Sequence, residues 1–117
     1  MKENIIKVKT FEFGKRIVRI CIYLEENKKE YVLSKQLKRS GTAPGALVRE
    51  SEHAESRKDF IHKLSIALKE ANETEYWLEM LREGNYLSEA EFKSIQYDCI
   101  EIVRILASIV KTSKTKS

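Results

Sequence analysis

The sequence predicts an all-α chain: an antiparallel, up-down-up-down four-helix bundle with its second helix kinked or broken near Gly41–Pro44. Three observations predict it. Phe60, Leu64, Ala67, Ala71, Thr74, Leu78 and Leu81 recur at spacings alternating between four and three, a near-complete a/d seam. Three further stretches carry apolar stripes of helical period, joined by short connections. Only four Gly and one Pro stand among 117 residues, with 34% charged, a composition that suits helices.

The first helix is expected over Asn4–Glu26. Ile6, Phe13, Ile17, Ile20 and Leu24 form its stripe, and Phe11, Val18 and Ile22 widen it. Ile17–Ile22 alone reads as well as a strand, but the stripe persists over five turns and length decides for helix. Lys9, Glu12, Arg16 and Arg19 take the opposite face, and Asn27-Lys28-Lys29 makes the turn.

The second helix is expected from near Glu30 to about Ala54, with Tyr31, Leu33 and Leu37 inward and Lys35, Lys38 and Arg39 outward. Ser40–Gly45 is its Gly/Pro cluster. Pro44 removes a helical hydrogen bond and disfavours α geometry at Ala43, and Thr42 is placed to cap a restart. The central helix opens near Ser56 and stops at Glu83-Gly84-Asn85, with Thr74 bonding back to its own carbonyls. Ser88 with Glu91 makes a capping box for the last helix, and Leu87 with Phe92 a hydrophobic staple. Its seam is Phe92, Ile95, Cys99, Ile102, Leu106 and Ile109. A second seam, Ile100, Val103, Ala107 and Val110, needs another partner, so these four residues are the expected oligomer interface. Residues 112–117 are expected to be a frayed basic tail of a single domain spanning 1–117.

No apolar run reaches the ~18 residues of a membrane span, and Lys2, Glu3 and Lys7 interrupt the N-terminus too early for a signal peptide, so a cytoplasmic location is expected. Cys21 and Cys99 sit inside apolar patterns without paired spacing, which predicts buried, reduced thiols. Residues 1–40 carry eleven Lys/Arg against five Glu, whereas residues 41–110 carry eight against thirteen acids. That asymmetry reads either as a nucleic-acid face or, somewhat ahead of it, as charge complementarity between helices or subunits.

Glu50-x-x-His53 and Asp59-x-x-His62 have the spacing of di-iron bundle ligands. The seams of helices 1 and 4 offer no matching carboxylate, and both motifs flank a tight turn, so no metal or cofactor is expected. Neither cysteine has a base in reach, and Gly41–Gly45 lacks the Lys-Ser/Thr of a phosphate loop, so no enzyme activity is expected. Arg16, Arg19, Lys35, Lys38 and Arg39 are the candidate nucleic-acid-binding residues, with Tyr23 or Tyr31 placed to stack on a base. Against that stands the ordinary reading of a solvated helix face. Tyr76-Trp77 reads as packing.

Tyr31-Val-Leu-Ser-Lys-Gln-Leu-Lys-Arg-Ser-Gly-Thr42, Gly45-Ala46, Arg49-Glu50, Ser56-Arg-Lys-Asp-Phe60 and Glu73-Thr-Glu-Tyr-Trp-Leu78 together resemble the four-helix-bundle proteins encoded in intervening sequences of bacterial 23S rRNA genes. The resemblance covers nearly the whole chain and implies a bundle that assembles into a ring-like homopentamer. A related member, the accessory protein of diversity-generating retroelements, is a basic pentamer that binds nucleic acid and a reverse transcriptase. The family at large has no established activity. Where it usually shows Ser-Ile-Gly-Ala-Asn, this chain has Ala43-Pro44-Gly45-Ala46-Leu47, and Leu47 cannot make the hydrogen bonds of that Asn.

The expected function is thus a non-enzymatic oligomeric scaffold or adaptor whose basic helical surface contacts RNA or DNA. The alternative is a protein–protein assembly module without a nucleic-acid partner. What separates them is whether the five cations converge on one open surface or are spent on the chain's own carboxylates.

Overall fold

The computed structural model describes the backbone of residues 2–116 and the side chains of residues 5–116. Four helices make it up: α1 (Lys2–Asn27), α2 (Val32–Ser51), α3 (Arg57–Glu83) and α4 (Glu89–Thr115). Each packs on its neighbour in the chain and α4 closes back on α1, so α1 stands diagonally from α3 and α2 from α4. With connections this short, that cyclic order is the antiparallel up-down-up-down bundle.

The seams of α3 and α4 are buried as their spacing requires, except that Phe60 is only half-covered. Thr74, the one polar member, donates to the Glu70 carbonyl at 2.8 Å and pairs with the Ser40 hydroxyl at 3.0 Å, so its burial leaves no bond unmade. On α1 the buried line is Ile6, Thr10, Phe13, Ile17, Cys21 and Leu24; Cys21 takes the place expected of Ile20, which is half-covered. The reason is the drift of a 3.6-residue period across five turns. Tyr31, expected inward, is the residue before α2 and is 57% exposed, because Leu33 and Ser34 turn in behind it.

Of the two alternatives for the second helix, a break is not what forms. α2 runs unbroken from Val32 to Ser51 with Pro44 inside it. Thr42 caps nothing; its hydroxyl donates back to the Lys38 carbonyl at 2.7 Å. The glycines serve close approach rather than a turn. A methyl group on Gly41 would sit 2.8 Å from both γ carbons of Ile17, and one on Gly45 would sit 3.3 Å from the Thr10 carbonyl oxygen. Burial of Ser40, Gly41 and Pro44, with Gly41 against Ile17 of α1 and Ser40 against Thr74 of α3, thus holds in helical form a segment whose local signals say turn.

The end signals hold. Ser56 accepts from the Asp59 amide at 3.0 Å, and Ser88 and Glu91 complete a reciprocal capping box. Leu87 and Phe92, the staple pair, are both buried. Gly84 follows α3 as expected, although the positive φ of 64° falls on Asn85. α4 continues through Thr115, past the expected start of the tail, with Ser113 buried and Thr115 bonded back to the Thr112 carbonyl. Ser117, the last residue of that tail, lies outside the described residues.

Candidate functional site

The five candidate cations do not share one open surface. Arg16 reaches across to α4, where it donates to Asp98 at 2.6 Å and to the Ser94 hydroxyl at 3.0 Å. Lys38 reaches α1 and pairs with Glu25 at 3.2 Å, a carboxylate that the Ser34 hydroxyl and then the Lys38 ammonium hold below its ordinary pKa. Arg39 turns the other way, to Glu70 at 2.9 Å and to Glu73 on α3. Glu73 also accepts from the Trp77 indole at 2.9 Å; that bond, and after it the guanidinium, lower its pKa against the pull of partial burial. Among the described residues only Arg19 and Lys35 of the set carry no ion pair. Each partly exposed bridge contributes at most ~1 kcal/mol. Together they engage three of the five cations and leave Arg19 and Lys35 open.

Glu73 meets a cation, whereas Glu75 accepts from Gln96 at 3.2 Å and Glu79 has no ion pair among the described residues. The Gln96 bond also locates the second seam of α4. Gln96, Ile100, Val103, Ala107 and Val110 follow at spacings of four, three, four and three, so they share one face, which lies along the α3–α4 edge. Val110 is buried there and Val103 packs on the core, while Ile100 is half-covered and Ala107 exposed. The chain itself covers much of this seam.

The larger apolar surface is on α1, and the sequence reading did not separate it. Ile5, Val8, Phe11, Val18, Ile22 and Tyr23 are all exposed, and all fall on the outer face of that one helix. Elsewhere Tyr31, Val32, Tyr76 and Tyr97 are exposed singly. In the sequence, Phe11, Val18 and Ile22 read as a widening of the inner stripe. An apolar arc wider than one partner can cover was the signal available, and it belonged to α1 as much as to α4.

Beside this face, α1 and α2 enclose a groove of about 530 Å³. Gly14, Gly45 and Ala46 leave it deep, Phe11 and Val18 line it, and Lys15, Arg19 and Arg49 edge it. Lys15 and Arg49 both stand over the Phe11 ring, about 5 Å from its centroid, a cation–π arrangement that fixes the ring. Lys15 pairs with Glu12 at 2.9 Å; Arg19 and Arg49 have no carboxylate among the described residues. The pairs Lys38–Glu25 and Lys7–Glu52 tie α1 to α2 nearer the two ends of these helices.

Lys63 stands 3.7 Å from both Glu50 and Asp59, the two carboxylates of the metal-like spacing, while His53 and His62 are exposed. Among the described residues no three His, Cys, Asp or Glu side chains converge. Both thiols are free and buried. Burial raises each pKa, that of Cys99 to about 12 with Glu75 and Asp98 adding to the effect, which makes both poor nucleophiles. Tyr76 and Trp77 pack edge to face at 5.0 Å, with Trp77 half-buried and Tyr76 exposed. Among the described residues no helix is long and apolar enough to cross a membrane.

Comparison with known proteins places this arrangement. A crystal structure of a protein of unknown function from the S23 ribosomal protein family of Bacteroides thetaiotaomicron superposes with a TM-score of 0.93. It is 53% identical over 95% of this chain and 99% of its own. No curated protein matches. The family model for 23S rRNA-intervening sequence proteins matches residues 2–108, nearly the full bundle, and the chain belongs to that family.

Proposed function

We propose that this chain is a subunit of a non-enzymatic homo-oligomeric scaffold, a single-domain assembly module working in the cytoplasm. The observation that carries the reading is the outer face of α1, where six large apolar side chains are exposed along one helix. These side chains, with Glu12, Lys15 and Arg19 among them, leave more apolar surface on one helix than the scattered single residues ordinary on a protein that stays single. Five is the copy number that the family resemblance offers, and it is open to direct measurement. The seam of α4 supplies a second apolar surface through Ile100 and Ala107.

Light scattering on the parent and on Val8→Glu tests the reading. Val8 is 61% exposed, so the substitution leaves the core alone. The parent is expected to run as a multiple of 13.7 kDa, and the variant as a smaller species of unchanged helicity. A parent of single-chain mass at every concentration overturns the reading.

Contact with RNA or DNA is the second reading, favoured by the unpaired cations Arg19, Lys35 and Arg49. Binding through them would fall steeply with salt and be indifferent to sequence. Arg19→Gln with Lys35→Gln, titrated against single- and double-stranded RNA and DNA, is expected to weaken it. No binding by the parent at low salt removes this reading and leaves the assembly module.

A further inference from the structure

We infer that one end of the bundle, where the last turns of α2 and α4 meet the first turn of α3, binds a small amphipathic monoanion: a single apolar tail ending in a carboxylate. The site lies within one chain and takes nothing from the outer face of α1, so it stands apart from the assembly reading.

The sequence leaves this end of the core unfilled. The buried line of α2 passes from Val48 to Ser51, and that of α4 from Ile109 to Ser113, at the spacings of one helix face. Both seams thus end in a serine where a large apolar side chain would close the bundle. Phe60 of α3 borders the same space and stays half-covered. The opposite end, by contrast, is plugged by Leu81, Leu87 and Phe92, all buried. What remains is a void of about 270 Å³ among Ile6, Val48, Phe60, Leu64 and Ile109. Ser51, Phe60 and Ile109 also border an outer cleft of about 610 Å³, so the two spaces adjoin.

The cleft differs from the void in its chemistry. Arg57 and Lys116 stand at it, with the hydroxyl residues Ser51, Ser56, Thr112 and Ser113 in its wall. Among the described residues neither cation has a carboxylate, and none lines the cleft. Glu52 borders the inner void, but Lys7 holds it at 3.1 Å. Glu50 and Asp59, at the same corner, share Lys63 at 3.7 Å, and exposed Glu55 is not part of the wall. Two helix N-termini and two C-termini meet at this end, so their dipoles oppose one another. The preference for an anion therefore comes from the two side chains.

An apolar void gives water few partners, and a hydrocarbon tail fills it at no polar cost. A bare anion would meet only exposed cations, and an alcohol would leave those cations unpaired. Head and tail are needed together.

Straight-chain carboxylates from butanoate to decanoate, titrated into the parent and followed by methyl NMR, test the assignment. The methyl signals of Ile6, Leu64 and Ile109 are expected to shift, and those of exposed Val8 and Val18 to stay. Affinity should rise roughly three- to fourfold for each methylene until the void is full. Octanol should bind roughly tenfold more weakly than octanoate. Arg57→Gln with Lys116→Gln is expected to bring octanoate down to the level of octanol and leave octanol unchanged. Ser51→Leu, which extends a side chain where the two spaces adjoin, should abolish both at an unchanged or higher melting temperature. Should that variant fail to fold, the chain-length series and the cation variant still decide. A flat series, shifts confined to Val8 and Val18, or a cation variant that binds octanoate like the parent overturns the site. So does inorganic phosphate that binds as tightly as octanoate, or a parent that binds no carboxylate of the series. None of these outcomes bears on the light-scattering test of assembly.

Discussion

The α1–α2 and α3–α4 flanks meet the same packing requirement with different residues. On the α3–α4 side the buried positions are mostly large or aliphatic: Leu64, Leu78 and Leu81 on α3 with Phe92, Ile95, Ile102 and Leu106 on α4. On α2 Leu37 and Val48 are buried too, but most buried positions are small or polar: Ser34, Ser40, Gly41, Pro44 and Ser51, with Gly41 against Ile17 and Gly45 against Thr10 of α1. The first flank gains stability by filling volume, and the second by letting two helices come close. Side chains of one flank are therefore expected to fail when shortened, and those of the other when lengthened.

The largest effect should come from shortening. Leu106 is fully buried, so Leu106→Ala is expected to cost about 2–5 kcal/mol in denaturant titration, the transfer loss plus the cavity left behind. Lengthening comes next. Gly41→Val places its first carbon 2.8 Å from Ile17, itself fully buried and unable to swing away, and the resulting overpacking is expected to cost about 1–3 kcal/mol. Gly14→Ala is the control, since nothing lies within 4 Å of that position. It should gain about 0.5–1 kcal/mol from helix propensity alone. If Gly41→Val is as harmless as Gly14→Ala, the two flanks do not differ in the way described.

This difference also decides how much could be read without coordinates. Phe92, Ile95, Cys99, Ile102, Leu106 and Ile109 announce their helix because large apolar residues at a helical period have one ordinary explanation. Close approach is written in Gly, Ser and Pro, the residues that also mark turns, so Ser40–Gly45 read locally as a place where the helix bends or ends. Only burial between α1 and α3 makes it a helix. The candidate site suffered from a related ambiguity. Arg16, Lys38 and Arg39 look alike as exposed cations in the sequence, but their partners lie 82, 13 and 31 or 34 residues away in the chain. No local pattern reports pairing at such separations. The apolar outer face of α1 was present as Phe11, Val18 and Ile22, yet which side of a wide stripe faces water depends on where the other helices stand.

The cysteines sharpen the comparison through pH. Cys99 lies on the α3–α4 side, where its thiol donates to the Ala71 carbonyl at 3.3 Å; burial, then Glu75 and Asp98, carry its pKa from 9.0 to about 12. Burial also raises that of Cys21, but its Ser34 contact and the nearby Lys38 ammonium oppose the shift. Unfolded, Cys99 ionises near 9; folded, it keeps its proton to about 12. Its contribution is therefore whole below pH 9 and is lost as pH rises through that interval, by about 1.4 kcal/mol for each pH unit. Comparing unfolding free energies of the parent and Cys99→Ala between pH 8 and 11 should show a steeper alkaline fall in the parent. Equal slopes would put the thiol in a wetter setting than its burial implies.

A further small effect concerns Pro44 and has a sign to establish. A proline in a helix interior is about 3 kcal/mol less favourable than alanine, because it withholds an N–H from the carbonyl four residues back, here that of Ser40. Two terms oppose the gain from replacing it. Alanine frees the unfolded chain, which costs about 0.4–1 kcal/mol, and it leaves the buried place of the ring partly empty. The balance favours Pro44→Ala by about 1 kcal/mol, seen as a higher melting temperature at unchanged helicity. Were Ser40–Gly45 instead a shaped turn in solution, the proline would be preorganising it and the variant would melt below the parent. The flanking glycines make the result easy to assign. Gly41 and Gly45 stay in place against Ile17 and Thr10, so only the missing hydrogen bond and the ring change. A fall in melting temperature of several degrees would mean that the α1–α2 flank relies on this segment being bent, and the close contact of α2 with α1 would then need another cause.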